Sequence, residues 1–340
     1  MVRVGLVGIG FMGMIHYLAY QKVPGVKVVA ICERDAKKRA GDWTDIQGNF
    51  GPRGSQMDLS GIDCYESYEE FLLKSDVDLV DLCLPTEMHV SWSLQALAAG
   101  KHVFVEKPLA LTTAEADRCL SAAKQAGKLH FVGHVLPFFP EFSYALKFVQ
   151  SGQGGKLQAA HLRRLICKPL WRKGPQADGP AVDLHIHDNH FACLLAGTPK
   201  AVRSKGVVDR DNVVQHVETQ YLYDDVSQCI TSASGALYQQ GCGFSHGFTI
   251  LMEKASLLFD SLGIPLTLLT HDGKSEKVSL PGSGDPVDAF SAEIAEVVAS
   301  VRQGKRSAIL DGKLGRDALA ISLSEEDAVK SGREVNIPTA

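Results

Sequence analysis

Nowhere in this chain does an apolar run approach the ~18 residues that a membrane-crossing helix needs, so a helical membrane protein is not expected. There is no Cys-x-x-Cys pair and no framework spacing. The eight cysteines stand singly at 32, 64, 83, 119, 167, 193, 229 and 242, and read as reduced, mostly buried thiols of a cytoplasmic protein. Lys and Arg form no long basic block, and 35 of them against 39 Asp and Glu leave a formal net charge of -4, which gives no support to a nucleic-acid partner. An export signal is not expected either, because the first strand-like run begins at Val2, with no basic and apolar leader before it. Internal repeats and low-complexity tracts are absent. What is left is a globular chain of 340 residues, 45% hydrophobic and 22% charged, long enough to bury a large core and to divide into two domains.

The first of these is expected over residues 1–134. Val2 to Val7 is a β-rich run that leads into Gly8, Gly10, Phe11, Met12 and Gly13, after which Met14 to Tyr20 reads as a helix. Strand, glycine turn and helix in that order cradle a pyrophosphate: Gly8 permits the tight turn, Gly10 the close approach, and Gly13 the packing of helix on strand. A second strand, Val26 to Cys32, ends at Glu33, placed to hydrogen-bond a ribose 2′-hydroxyl and to repel a 2′-phosphate, which favours NAD over NADP. Arg34 beside it can pair with such a phosphate, so NADP stays open. A helix is expected over Lys37 to Asp45, then a Gly-, Pro- and Ser-rich insertion from Gly48 to Ser60, a short helix at Tyr68 to Lys74, and a strand from Val77 to Leu84. The strand closes at Pro85 and Thr86. His89, at the start of a helix expected over Val90 to Ala99, is a candidate to touch cofactor or substrate, or is merely solvated.

Gly100 to Leu109 (GKHVFVEKPL) is a strand run that stops at Glu106, Lys107 and Pro108. Proline has no N–H for the ladder and pushes the residue before it into extended or turn geometry, so Lys107 is held at a strand end. In an open parallel sheet that end faces the ligand crevice. Thr112 and Glu115 have capping-box spacing for the next helix, which stops at Gly127, and Leu129 to Gly133 is the last strand of this half. Regular alternation of strand and helix predicts a doubly wound parallel sheet of Rossmann type.

Residues 135–340 read differently. Eight strand-like segments follow a helix that ends near Val149, and short turns between them imply a mostly antiparallel sheet in an α+β domain closed by helices at Val287 to Val301 and Leu314 to Lys330. Pro180 to Gly197 (PAVDLHIHDNHFACLLAG) suits a largely buried helix that puts Asp183, His187 and His190 on one face. An acid/base pair, a buried structural network and a three-ligand metal site all fit that pattern. His134, Arg163, Trp171 and His190 are weaker candidates for lining a substrate pocket.

Taken together, the Gly8 to Gly13 fingerprint, CLPTEMH at 83–89, AGKHVFVEKPLA at 99–110, DLHIH at 183–187 and the C-terminal helices resemble the glucose-fructose oxidoreductase, inositol dehydrogenase and MocA (Gfo/Idh/MocA) family over nearly the whole chain. The resemblance implies a catalytic trio of Lys107, Asp183 and His187, with the lysine near the nicotinamide and often before a cis proline. It implies an NAD(P)-dependent dehydrogenase acting on a secondary hydroxyl of a sugar, cyclitol or related polyol. Cofactor contacts are expected from the glycine turn, Glu33, Arg34, Pro85, Thr86, His89, Glu106 and Lys107, and a homodimer or homotetramer is expected through the C-terminal sheet. Three departures from the family pattern concern the substrate side: many relatives have arginine at the position of Pro137 and aspartate at that of His190, and a Gly-Gly pair where this chain has Gly179-Pro180. Other readings are a glycosidase that works by transient oxidation and elimination, and a non-catalytic dinucleotide-binding regulator.

Overall fold

The structure, a computed structural model, describes residues 1–167, 179–225, 227–238, 243–282 and 284–339. Its first elements are β1 (Val2–Val7), α1 (Phe11–Tyr20), β2 (Val26–Cys32), α2 (Ala36–Arg39), β3 (Asp63–Tyr65) and α3 (Tyr68–Lys74). Then come β4 (Leu79–Leu82), α4 (Thr86–Ala98), β5 (His102–Glu106), α5 (Thr113–Ala126), β6 (His130–Gly133) and α6 (Pro140–Ser151). The second half holds β7 (Leu157–Cys167), α7 (Pro180–Asp183), α8 (Ile186–Ala196), β8 (Ala201–Val208), β9 (Val214–Leu222), β10 (Cys229–Tyr238) and β11 (Phe244–Met252). It ends with β12 (Ala255–Asp260), β13 (Ile264–Thr270), β14 (Ser275–Lys277), α9 (Val287–Gln303), α10 (Gly312–Ser331) and β15 (Val335–Asn336). By contact the chain forms two compact units, Met1–Phe138 with Gly282–Arg316, and Phe139–Pro281 with Asp317–Ala340.

The first unit is built on a parallel sheet of order β3-β2-β1-β4-β5-β6. Chain direction across the sheet reverses between β1 and β4, and the crevice at such a switch point is where open α/β sheets bind ligands. Strands covered on both faces must be apolar throughout, and β4 is buried at every position, Asp81 included. The boundary differs from a single cut after residue 134, because Gly282–Arg316 groups with this unit. Val287, Phe290, Ile294, Val297 and Val298 of α9 share one buried cluster with Met14 and Ile15 of α1. An amphipathic helix advertises its apolar face in sequence but not what covers it.

Several local expectations shift. The helix expected over Lys37 to Asp45 is the single turn α2, capped by the Asp35 side chain, and the short edge strand β3 had no clear pattern to announce it. The chain after α2 folds onto α1: Trp43 is fully buried with its ring 5.0 Å from Tyr17, and Phe50 of the insertion lies 4.8 Å from Phe11 and 5.6 Å from Phe290. The helix α4 begins at Thr86, four residues earlier than expected, which puts His89 in its first turn. The capping box of Thr112 and Glu115 forms as expected, and α5 ends on left-handed Gly127.

The second unit carries a nine-stranded sheet of order β14-β13-β12-β11-β7-β10-β9-β8-β15. Its pairs are antiparallel except for β7 with β10. Alternation along β7 points Arg164 at α8, where it holds Asp188 at 2.8 Å, and turns His161 and Arg163 to the opposite face. Phe191 of α8 packs edge-on against Phe142 of α6, ring centres 5.1 Å apart. The expected helix over Pro180 to Gly197 is broken: α7 stops at Asp183, and the N–H groups of Leu184 and His185 both donate to the Pro180 carbonyl before α8 starts at Ile186. Asp183, His187 and His190 therefore do not lie along one continuous helical face.

Candidate active site

The glycine turn follows β1 at the switch point. Gly8 sits at φ +86°, a left-handed backbone that L side chains rarely adopt, and a Cβ there would lie 2.6 Å from the Cys83 carbonyl oxygen. A Cβ on Gly13 would lie 2.0 Å from the Gly8 carbonyl oxygen, so only glycine lets α1 come this close. Gly10, the N-cap of α1, is the opposite case: a Cβ there would meet nothing within 4 Å. The backbone thus keeps open space in front of the N-terminal amides of a helix, which suits a dinucleotide pyrophosphate. Phe11 and Met12 are half-buried beside it. Glu33 uses one carboxylate oxygen on the Ile9 N–H at 2.6 Å and the other on the Asp35 N–H at 2.9 Å, which ties the acidic end of β2 to the glycine turn. Arg34 is exposed next to it.

On the other side of β1 the turns after β4 and β5 are joined by a histidine. His89 is 1% exposed, with Nδ1 2.7 Å from the Pro108 carbonyl oxygen and Nε2 2.8 Å from that of Leu84. Burial lowers its pKa. The ring thus sits between two backbone carbonyls, and its neutral form donates its one N–H to one of them. Pro85 is exposed and Thr86 buried at the start of α4. Lys107 is half-buried one residue past β5, in a cis peptide bond with Pro108, and its N–H donates to Glu106 Oε2 at 3.2 Å. His134 is fully buried just after β6.

Beneath this strand end lies a polar cluster that sequence reading missed. His16, fully buried in α1, has Nδ1 2.9 Å from Asp81 Oδ2 and Nε2 3.0 Å from Glu106 Oε1. The Tyr20 hydroxyl donates to Asp81 Oδ2 at 2.9 Å. Burial opposes a charge on the His16 ring, yet the Asp81 carboxylate overcomes it and holds the pKa well above the ordinary value, with the Cys83 sulfur in contact at 3.4 Å. Burial pushes the Cys83 thiol far up, so at neutral pH it is uncharged and the stabilising field comes from carboxylate. Glu293 of α9 is also fully buried, and burial, then the neighbouring Glu106, drive its carboxyl well above the usual range. One signal could have found the cluster: a carboxylate inside the apolar run VDLVDLCL needs a buried partner.

In the second unit Asp183 is 3% exposed at the end of α7, His190 fully buried in α8, and His187 half-buried between them. The neighbours His185 and Asp188 take other partners, Glu325 and Arg164 respectively. His185 makes an ion pair with Glu325 at 3.2 Å and a hydrogen bond with Ser232. Burial works against its charge, and Glu325 overcomes it to raise the pKa. Asn189 donates to Glu325 at 2.7 Å and to Ser322 at 3.0 Å, and accepts from Tyr221 at 2.5 Å. These contacts hold the segment carrying His187 against α10 and the sheet. Arg163, paired with Asp260, is on the sheet face away from α8 and is not brought together with Asp183 and His187. Trp171 lies outside the described residues. Among the described residues the group with metal-ligand spacing is His16, Asp81 and Cys83, within 4.8 Å of one another, and not Asp183, His187 and His190. Its imidazole is already shared between two carboxylates at hydrogen-bond distances.

A family model described as oxidoreductase family, NAD-binding Rossmann fold, matches residues 2–134. The chain is 33% identical to the 4-carboxy-2-hydroxymuconate-6-semialdehyde dehydrogenase of a Sphingobium species, over 89% of this chain and 91% of that one. It is 25% identical to the inositol 2-dehydrogenase of Rhizobium meliloti, with 99% of each chain covered. Levoglucosan dehydrogenase, solved with NADH and levoglucosan, shares the fold at a TM-score of 0.84 and 18% identity, over 99% of this chain and 100% of that one.

Proposed function

The chain belongs to the Gfo/Idh/MocA family of NAD-binding oxidoreductases, and from that premise we propose that it oxidises a secondary hydroxyl of a sugar, cyclitol or related polyol, or reduces the corresponding carbonyl. The observation that supports this reading most is Lys107 at the carboxyl end of β5, on the same sheet edge as the glycine turn and Glu33. Nicotinamide, when bound, takes or gives the hydride.

In the oxidising direction the substrate O–H proton passes to His187, and Asp183 orients that ring and stabilises its charged form. The Lys107 ammonium stabilises the oxygen as negative charge builds on it. The C–H bond breaks with its electron pair leaving as hydride, and the carbon becomes a carbonyl. Lys107→Met and His187→Ala should each cut turnover by about a hundredfold or more while NADH binding, read by fluorescence titration, stays close to wild type. Unchanged turnover in both variants would overturn the assignment.

The substrate panel includes a carboxylated semialdehyde, the class in the name of the Sphingobium relative, alongside sugars and cyclitols. Glycosides belong in it as well, since a Shewanella pealeana protein named for glycosyl hydrolase family 109 is 28% identical over 48% of this chain. Release of free sugar with no net NADH would favour elimination over dehydrogenation.

A further inference from the structure

We propose that His16 is a positioning residue for Lys107, bracing the end of β5 through the carboxylate of Glu106. This rests on the reading of Lys107 given above. Glu106 divides its carboxylate: Oε1 faces His16 Nε2 at 3.0 Å, and Oε2 accepts the Lys107 N–H at 3.2 Å. The other ring nitrogen of His16 faces Asp81 Oδ2 at 2.9 Å. A carboxylate oxygen offers a lone pair and not a proton, so two such contacts require an N–H on both nitrogens, which is the imidazolium.

The groups around that ring come from each element packed on it. Tyr20 on α1 donates to Asp81, Cys83 follows β4 at 3.4 Å, and Glu293 on α9 adds a carboxyl whose pKa burial raises well above the usual range. Phe104 of β5 stacks on the ring at 5.4 Å and Phe290 of α9 closes it at 6.1 Å. The imidazolium is the positive charge between Asp81 and Glu106, on a ring that is fully buried. His16 also sits one turn into the helix that begins at the glycine turn. One side chain thereby ties the cofactor turn to the strand end that presents Lys107. Removing it leaves two buried carboxylates facing each other, so the cluster takes up a proton and the Glu106 carboxylate loses its fixed orientation.

The test compares His16→Gln, Glu106→Gln, the double variant and Lys107→Met in the full-length chain. His16→Gln and Glu106→Gln should each lower kcat on the order of a hundredfold, the loss that small misplacement of a reacting group produces, with the NADH dissociation constant little changed. The double variant should be no slower than the worse single one, because both act through one carboxylate. Independently of activity, nitrogen-15 histidine spectra of the wild type should show one ring with both N–H groups retained from pH 6 to 9, identified by its change in Glu106→Gln. That spectrum carries the test if His16→Gln does not fold.

A neutral ring at pH 7, or folded variants with lowered melting temperature and wild-type kcat, would overturn the proposal. Normal turnover in Lys107→Met would overturn the reading of Lys107 itself. An inactive Lys107→Met beside a fully active His16→Gln would sink the His16 inference alone.

Discussion

The ring of His89 spans two turns at the crevice end of the parallel sheet, 2.7 Å from the Pro108 carbonyl oxygen and 2.8 Å from that of Leu84. It is a tie between the turns after β4 and β5, with each ring nitrogen facing a backbone carbonyl. His89→Phe keeps an aromatic ring in place and takes the ring N–H away from the carbonyl it serves, at about 1–3 kcal/mol. A lower midpoint in urea and weaker NADH binding are expected. Wild-type values for both would show that the tie is dispensable.

Gly10 and Gly13 make a matched pair of tests. Gly13→Ala drives a Cβ to 2.0 Å from the Gly8 carbonyl oxygen, so both the melting temperature and NADH affinity should fall. Gly10→Ala meets no protein atom within 4 Å. Its melting temperature should hold without cofactor, while affinity for NADH drops because the methyl group occupies the space left for pyrophosphate. Unaltered affinity in Gly10→Ala would move the pyrophosphate elsewhere.

Glu33 has two duties that one substitution separates. In Glu33→Ala the Ile9 and Asp35 N–H groups lose a charged acceptor, which costs about 1.5–3 kcal/mol for a hydrogen bond of this type. The repulsion of a 2′-phosphate disappears with it, and Arg34 remains exposed alongside. The ratio of kcat/KM for NADP to that for NAD should rise. If the ratio does not move, the discrimination lies elsewhere.

Acid should loosen the first unit through His130. Burial pushes its pKa down to about 4, and the nearby Asp311 only partly opposes this. Between pH 4 and the ordinary histidine value near 6.5 the unfolded chain binds the extra proton, so stability rises with pH across that window. The contribution is fully present above it and is lost as pH falls towards 4. It amounts to about 3 kcal/mol at most. His130→Gln should show a smaller drop in urea midpoint between pH 7 and pH 5 than the wild type, and an equal drop would refute the assignment.

Local chemistry made much of the first unit legible. Gly8 and Gly13 announce a turn because only glycine tolerates that backbone and that proximity, and Pro108 announces a strand end because it has no N–H to donate. The capping box at Thr112 and Glu115 and the stop at Gly127 are local as well. Where a reading failed, distant partners had decided the outcome. Asp183 to His190 has helical spacing, but the chain breaks at Leu184 and His185, and His185 is held by Glu325 and Ser232 from far along the sequence. Arg163 has the right charge for a pocket, and strand alternation turns it to the other face of the sheet.

The sequence by itself determined the order of strands and helices, the glycine turn, and the placement of Lys107 at a strand end, because these follow from dihedral limits and backbone donors within a few residues. Tertiary structure decided the return of α9 to the first unit and the enclosure of His16 by Asp81 and Glu106, 65 and 90 residues away. The charge on that ring depends on which carboxylates surround it and on the exclusion of water, and neither is written in its neighbours along the chain.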